Sequence, residues 1–176
     1  MNIRTATHLD RDAIHHVHWS AFAEDERALV SKLAIDLLLE ETSPKIISLV
    51  AEMDGDVVGH VAFSPVSIEN DHTFQGSILG PLGIIPEHQK RGIGSKLVET
   101  GMRQVSSMGA DILFVYGDPK YYSRFGFRAD VAEHYIPTYE IQYPFGWQAV
   151  TLNESQAKAS PVDLVFVSAL NNPALW

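Results

Sequence analysis

The chain has 176 residues, 45% of them apolar and 20% charged, which fits a single globular domain over residues 1–176 and excludes a disordered, collagen-like or coiled-coil chain. Thirteen Lys and Arg against 22 Asp and Glu leave a net charge of −9, which excludes a generic nucleic-acid binder, since phosphate binding relies on clustered cations. With no Cys, disulfides, thiolate metal sites and a Cys nucleophile are excluded; with no apolar run of bilayer length and no signal-peptide core in Met1–Ser20, a cytoplasmic protein without a membrane partner is expected.

Asn2 to Thr7 alternates around Ile3 and predicts a short strand. Asp10 precedes a helical stretch from Arg11 to Phe22, with Ile14, Val17 and Phe22 at near-helical spacing. Glu24-Asp25-Glu26 opens a second helix, whose Leu29, Val30, Leu33, Ala34, Leu37 and Leu38 form an apolar stripe. Pro44 ends the helical region. Ile46–Met53 and Val57–Ile68 read as strands of a hairpin closed at Asp54-Gly55-Asp56, with Pro65 marking a bulge or an edge. Asn70 to His72 is turn-like. Ser77 to Ile85 reads as a strand broken by Gly80, Pro81 and Gly83, a sign of a bulge or of a ligand near the backbone.

Pro86 to Gly92 is a loop, and Ile93 to Met108 a helix with Ile93, Leu97, Val98, Met102, Val105 and Met108 on one face. Asp111–Tyr116 is a continuously apolar strand, as expected where both faces are buried. Lys120–Phe125 predicts a short helix ended by Gly126. Weaker strand signals follow at Trp147–Leu152 and Asp163–Ser168. The tail from Pro161 to Trp176 is apolar enough to complete a sheet, in its own subunit or in a homodimer partner. The central strand–loop–helix–strand unit predicts two parallel neighbours, hence an α+β or mixed α/β sheet.

The chemistry concentrates in Leu82-Gly83-Ile84-Ile85-Pro86-Glu87-His88-Gln89-Lys90-Arg91-Gly92-Ile93-Gly94-Ser95-Lys96. A glycine-containing loop between a strand and a helix start offers free N–H groups and a positive dipole end to an anion. Lys90, Arg91 and Lys96 add local positive charge to an acidic chain. The Walker pattern is absent, and the third glycine of a dinucleotide fingerprint is replaced at Leu97. The pattern R/Q-x-x-G-x-G/A fits, with Gln89, Gly92 and Gly94. A second pattern, Tyr122-x-x-x-Gly126-Phe127, follows inside Gly117-Asp118-Pro119-Lys120-Tyr121-Tyr122-Ser123-Arg124-Phe125-Gly126-Phe127. Together with Ala62-Phe63-Ser64-Pro65-Val66, these resemble the GNAT superfamily of N-acetyltransferases, and within it a bacterial YhbS-like group.

The resemblance implies a GNAT fold: a mixed, mostly antiparallel sheet with one splayed parallel pair and flanking helices. It implies acetyl-CoA as co-substrate, no metal, and an amine acceptor that is a small molecule, peptide or protein lysine. Backbone groups at Leu82 and Ile84 would pair with the pantetheine arm, with Gly83 and Pro81 as bulge residues that aim them. N–H groups across Gln89, Lys90, Arg91, Gly92, Ile93 and Gly94, with Ser95, would hold the pyrophosphate. Tyr122 would protonate the leaving thiolate, with Tyr121 as its rival. The general base stays open among Asp118, Glu24, Asp25, Glu26 and His88. Trp19 and Phe22 either wall the acceptor pocket or pack in the core. Acetyl would pass directly from acetyl-CoA to the amine in a ternary complex. The alternatives are another acyl donor, a hydroxyl acceptor, or a non-catalytic CoA-binding sensor. His15-His16-x-His18 lacks a third ligand at metal spacing, and Asn153-Glu154-Ser155 matches a glycosylation acceptor with no secretory signal to give it meaning.

Overall fold

The computed structural model describes residues 1–153 and 157–176. Of the Asn153-Glu154-Ser155 motif, Glu154 and Ser155 lie outside the described residues. Among the described residues the strands are β1 (Asn2–Thr5), β2 (Ile47–Met53), β3 (Asp56–Ile68), β4 (Asp71–Ile84), β5 (Ile112–Tyr116), β6 (Tyr135–Ile136), β7 (Trp147–Thr151) and β8 (Val162–Phe166). The helices are α1 (Arg11–Ala21), α2 (Arg27–Leu39), α3 (Ile93–Ser107) and the single turn α4 (Pro119–Tyr122). The sheet runs β1-β2-β3-β4-β5-β7, antiparallel except for the parallel pair β4 and β5. This is the mixed, mostly antiparallel α/β architecture that the sequence implied.

Alternation sorts the strand residues into two apolar layers. Leu49, Val61, Phe63, Leu113 and Val115 face α3 and pack on Leu97, Val98 and Val105. Ala62, Val66, Ile78 and Phe114 face the other way, toward Leu33 and Leu37 of α2. Val50 joins Ile14 of α1 and Ala34 and Ile35 of α2. The strand β5 is buried on both faces, which is why its five residues are all apolar or aromatic.

Two strands differ from the sequence reading. The strand β4 starts at Asp71, six residues before Ser77, because the polar stretch from Asp71 pairs back on β3 in a hairpin, Ile68 opposite Asp71. The two-residue β6 was not read at all; its pairing with β8 is long-range and leaves no periodicity. The tail completes the sheet within its own chain. Past the end of β2, which stops opposite Phe63, β8 takes the same edge of β3 at Val66–Ile68. Pro65 falls in the gap between them, an edge position that suits a residue with no N–H to donate.

The seat of α3 on β3 depends on Gly101. A Cβ there would overlap the ring of the fully buried Phe63. Replacing Gly101 by Ala should gain about 1 kcal/mol of helix propensity and lose about 2–3 kcal/mol to overpacking. The expected net result is a melting temperature lower by roughly 2–8 °C, read by thermal unfolding. An unchanged or raised Tm would show that this contact yields freely.

Candidate active site

The strands β4 and β5 pair only from Gly76–Leu79 with Ile112–Val115, and then they part. On its other side β4 stays paired with β3 to Ile84, opposite Gly59. The register slips between Leu79, opposite Phe63, and Leu82, opposite Val61, so one extra residue of β4 lies at Gly80-Pro81. Gly80 takes φ +148°, a conformation side chains rarely tolerate. The bulge is thus at Gly80-Pro81. Gly83, expected to share it, is instead a regular paired residue opposite His60. It is glycine for packing: a Cβ there would lie 2.8 Å from His18 Nδ1 and 3.3 Å from Val17.

The bulge sets the direction of the backbone groups. Ile85 donates to Val58 of β3 at 2.9 Å. By alternation Gly83 also turns toward β3, while Leu82 and Ile84 turn their N–H and C=O to the side that β5 has left. The Ile84 carbonyl there accepts from the Gln89 side chain at 3.0 Å. Gln89 also donates its backbone N–H to Pro86 at 3.2 Å. Its donors therefore tie the loop to the end of β4.

Beyond Gln89, Lys90 and Gly92 take left-handed backbone conformations, φ +60° and +80°. No side chain caps α3, and its first turn holds no acidic residue. The first bond back into the helix runs from Lys96 to Gly92, so the N–H groups of Ile93, Gly94 and Ser95 are left pointing outward. The Ile93 side chain itself is core. A cleft of about 580 Å³ covers this turn and includes Gln89, Lys90, Gly92, Gly94, Ser95 and His88. Arg91 and Lys96 do not line it. Arg124 does, stacked 4.5 Å over the Tyr121 ring and donating to the Tyr121 carbonyl.

The β5 strand ends at Tyr116, and Asp118 caps α4 by accepting from the Lys120 N–H at 2.9 Å. The N–H groups of Tyr121 and Tyr122 both donate to the Asp118 carbonyl, so one tight turn places both tyrosines. They separate cleanly. The Tyr121 hydroxyl lies against Gly94 and beside Ser95 in the loop. Tyr122 packs on Gly117, Phe125 and Phe127. Burial, and then Tyr121, push the Tyr122 phenol well above the usual tyrosine value. A second cleft of about 650 Å³ opens between β4, β5, α2 and the C-terminal turns. Phe22, Leu82, Asp118 and Tyr122 border both clefts, so the two adjoin along a passage walled by these residues, with Tyr122 at the junction.

The other expected residues fall as follows. Glu26 lines the second cleft, whereas Glu24 is exposed and pairs with Arg27 at 3.7 Å. Asp25 lines neither cleft. Phe22 is a wall of the passage, while Trp19 lies outside it, stacked on His15 under Arg27. His15 and His18 do not share a face for ligands. His18 turns into the core, where His18 Nε2 and His60 Nδ1 share a hydrogen bond of 2.7 Å and His60 Nε2 meets Ser48 at 2.8 Å.

The comparisons agree with this geometry. A family model described as "Acetyltransferase (GNAT) domain" matches residues 2–129. The chain belongs to the GNAT acetyltransferase family. It is 35% identical over 125 residues to the uncharacterized N-acetyltransferase YjhQ of Escherichia coli (strain K12), a match covering 67% of this chain and 64% of that protein. It is 33% identical over 136 residues to the uncharacterized N-acetyltransferase YhbS of the same strain, with 77% of each covered. The crystal structure of Escherichia coli YhbS in complex with CoA superposes with a TM-score of 0.82 at 25% identity, covering 97% of this chain and 92% of that one. A GNAT acetyltransferase from Brucella melitensis in complex with acetyl-CoA gives 0.69 at 29% identity, with 97% of both covered. In this GNAT chain, sequence reading missed Arg124 as the cation at the loop. Its place inside the Tyr122-to-Phe127 motif was the available signal. It also missed His60 and Ser48, which only the tertiary fold brings to His18.

Both histidines are fully buried, and burial holds each below the ordinary value of about 6.5, so both rings are neutral. The unfolded chain takes up protons on them as pH falls below about 6.5 and the native chain does not. Stability should therefore drop from pH 6.5 toward 5, by about 1.4 kcal/mol per pH unit for each histidine. Asp10 is held down to about 2 by its hydrogen bond to Arg4, so its contribution is lost only as pH falls below about 4. Denaturant midpoints across pH 7 to 3 should fall continuously from about pH 6.5 and more steeply below about pH 4, where the Asp10 contribution is lost as well. A flat profile from 7 to 5 would mean that the histidine pair is protonated in place.

Proposed function

We propose that this chain is an acetyl-CoA-dependent N-acetyltransferase that passes acetyl directly to an amine in a ternary complex. The observation that carries the reading is the adjacency of two clefts, an anion-binding helix start beside an acidic, aromatic pocket, with Leu82 and Tyr122 on the wall they share. The residues present suit the co-substrate. Outward N–H groups at Ile93, Gly94 and Ser95, with Lys90 and Arg124, make a pyrophosphate seat. The edge of β4 left open after Leu79 would pair with the pantetheine arm as an added strand does.

When bound, acetyl-CoA supplies an activated acyl carbon and a thiolate leaving group. The Leu82 or Ile84 N–H, turned into the passage, polarises the acyl oxygen. Tyr122, kept protonated by burial, gives its proton to the departing sulfur. An amine with a pKa near 10 is neutral in only about one part in a thousand at pH 7, so a base must assist. Asp118 serves best: one carboxylate oxygen caps α4, the other remains for the amine proton, and the residue borders both clefts. Gln89 and Arg91 are left structural and peripheral roles.

The first test is thermal shift. Acetyl-CoA and CoA at 100-fold over Kd should stabilise by about 2.7 kcal/mol and raise Tm by roughly 5–10 °C, with no rise from ATP or NAD. Tyr122→Phe should lower kcat by about 10²-fold or more with CoA binding intact. No shift with either CoA species would sink the reading, and an unchanged kcat would remove Tyr122 from the mechanism.

A further inference from the structure

The second cleft differs from the first in its lining. Among the described residues that border it there is no Lys, Arg or His. Two carboxylates are present, Glu26 at the start of α2 and Asp118 at the end of β5. Asp118 gives one carboxylate oxygen to capping α4, whereas the Glu26 side chain caps nothing. The rest of the wall is aromatic and apolar. Tyr116 and Trp176 stack at 5.9 Å, and Phe22 borders the junction. Tyr143 and Phe145 stand on the segment before β7, 51% and 65% exposed. That segment is pinned by the Tyr143 N–H, which donates to the Tyr116 hydroxyl at 2.8 Å. Large aromatic side chains left in water beside a concave site mark a surface that an apolar ligand covers.

Resting on the acetyltransferase reading, we infer that the acceptor is a small arylalkylamine: one primary amine on a short linker, an aromatic body, and no carboxylate. The single cation is drawn to Glu26 and passes its proton to Asp118. The aromatic body lies against Phe22, Tyr143 and Phe145, where ring contacts and burial favour it. Each neighbouring class meets a specific obstacle. An amino acid would bring a carboxylate into a cleft with two acids and no cation to receive it. A polyamine or aminoglycoside would bring several cations to two carboxylates, one of them half engaged as a cap. The volume of about 650 Å³ is that of a small-molecule site.

The reaction balances simply. The amine nitrogen forms a bond to the acyl carbon, and the carbon–sulfur bond breaks with its electron pair going to sulfur. The bound ammonium gives one proton to Asp118 before attack; as the amide forms, the nitrogen sheds a second, which replaces on Tyr122 the proton that the sulfur has taken. The product amide is neutral and no longer pairs with Glu26, which favours its release.

Matched pairs test this. Tyramine and tryptamine are assayed against tyrosine and tryptophan, with spermidine and kanamycin as polycations, by thiol release from acetyl-CoA. The expected result is a kcat/KM for tyramine or tryptamine at least tenfold above the parent amino acids and both polycations. Glu26→Gln should raise the KM for tyramine several-fold and leave kcat within about twofold. Phe145→Ala should raise the KM for tryptamine and leave the acetyl-CoA thermal shift unchanged. Preference for an amino acid or a polycation, or no acetylation of any aromatic amine, overturns the inference. If acetyl-CoA still raises Tm in that case, the transferase reading stands without it. If no CoA species raises Tm, both fall.

Discussion

Past Leu79 the strand β4 keeps β3 on one side and loses β5 on the other. A strand with a bare edge is ordinarily a hazard, because its N–H and C=O groups invite any extended chain. Here the bare edge lies inside the molecule, between two elements that cannot close on it. The segment after β5 turns away at once into α4, anchored by the Asp118 cap and by Gly117 donating to Gly146. The loop after β4 is held by Gln89 on the Ile84 carbonyl. The edge is thus kept open by fixed bonds on both flanks, which is preorganisation for an extended ligand.

The one-residue bulge at Gly80-Pro81 has a second effect. Strand side chains alternate, so an extra residue reverses which face each later residue occupies. Leu79 faces α3, whereas Gly83, four residues on, faces α1. Without the bulge, Leu82 and Ile84 would point at α1, and the paired and open sides of their backbone would be exchanged. The helix α1 then settles on β4 through Gly83 with His18 directly above it. That ring is neutral and joined to His60, so the layer beneath the open edge is rigid and uncharged.

Much of this was legible in the sequence, and for local reasons. The helix α3, the buried β5 and the hairpin at Asp54-Gly55 each carry their own period or turn residues within a few positions. The loop from Gln89 to Ser95 and the motif from Tyr122 to Phe127 are likewise contiguous. What escaped depends on chain brought from far away. The start of β4 at Asp71-His72 reads as turn, Thr73 to Gly76 carries no strand signal, and the stretch becomes strand only against β3. Gly83 looked like part of the bulge because three breakers stood together, and only His18, 65 positions earlier, shows it to be a packing glycine. Arg91 stood in the motif but does not line the cleft, whereas Arg124 does, because the α4 turn folds back over the loop.

The adjacent tyrosines show how little sequence separates two environments. A single helical turn rotates neighbouring side chains by about 100°, so Tyr121 and Tyr122 cannot share an environment. Tyr121 goes to the loop, where Ser95 and Arg124 make its surroundings polar. Tyr122 goes to the junction, where Phe125, Phe127 and the bare face of Gly117 make them apolar. An apolar setting keeps a phenol protonated, and a proton donor to a thiolate must hold its proton until sulfur leaves. The glycine is what permits it: a Cβ at Gly117 would lie 2.5 Å from the Tyr122 ring and push it off the junction. The place of the Tyr122 ring, on which its proposed role depends, is therefore set by the missing side chain five residues earlier.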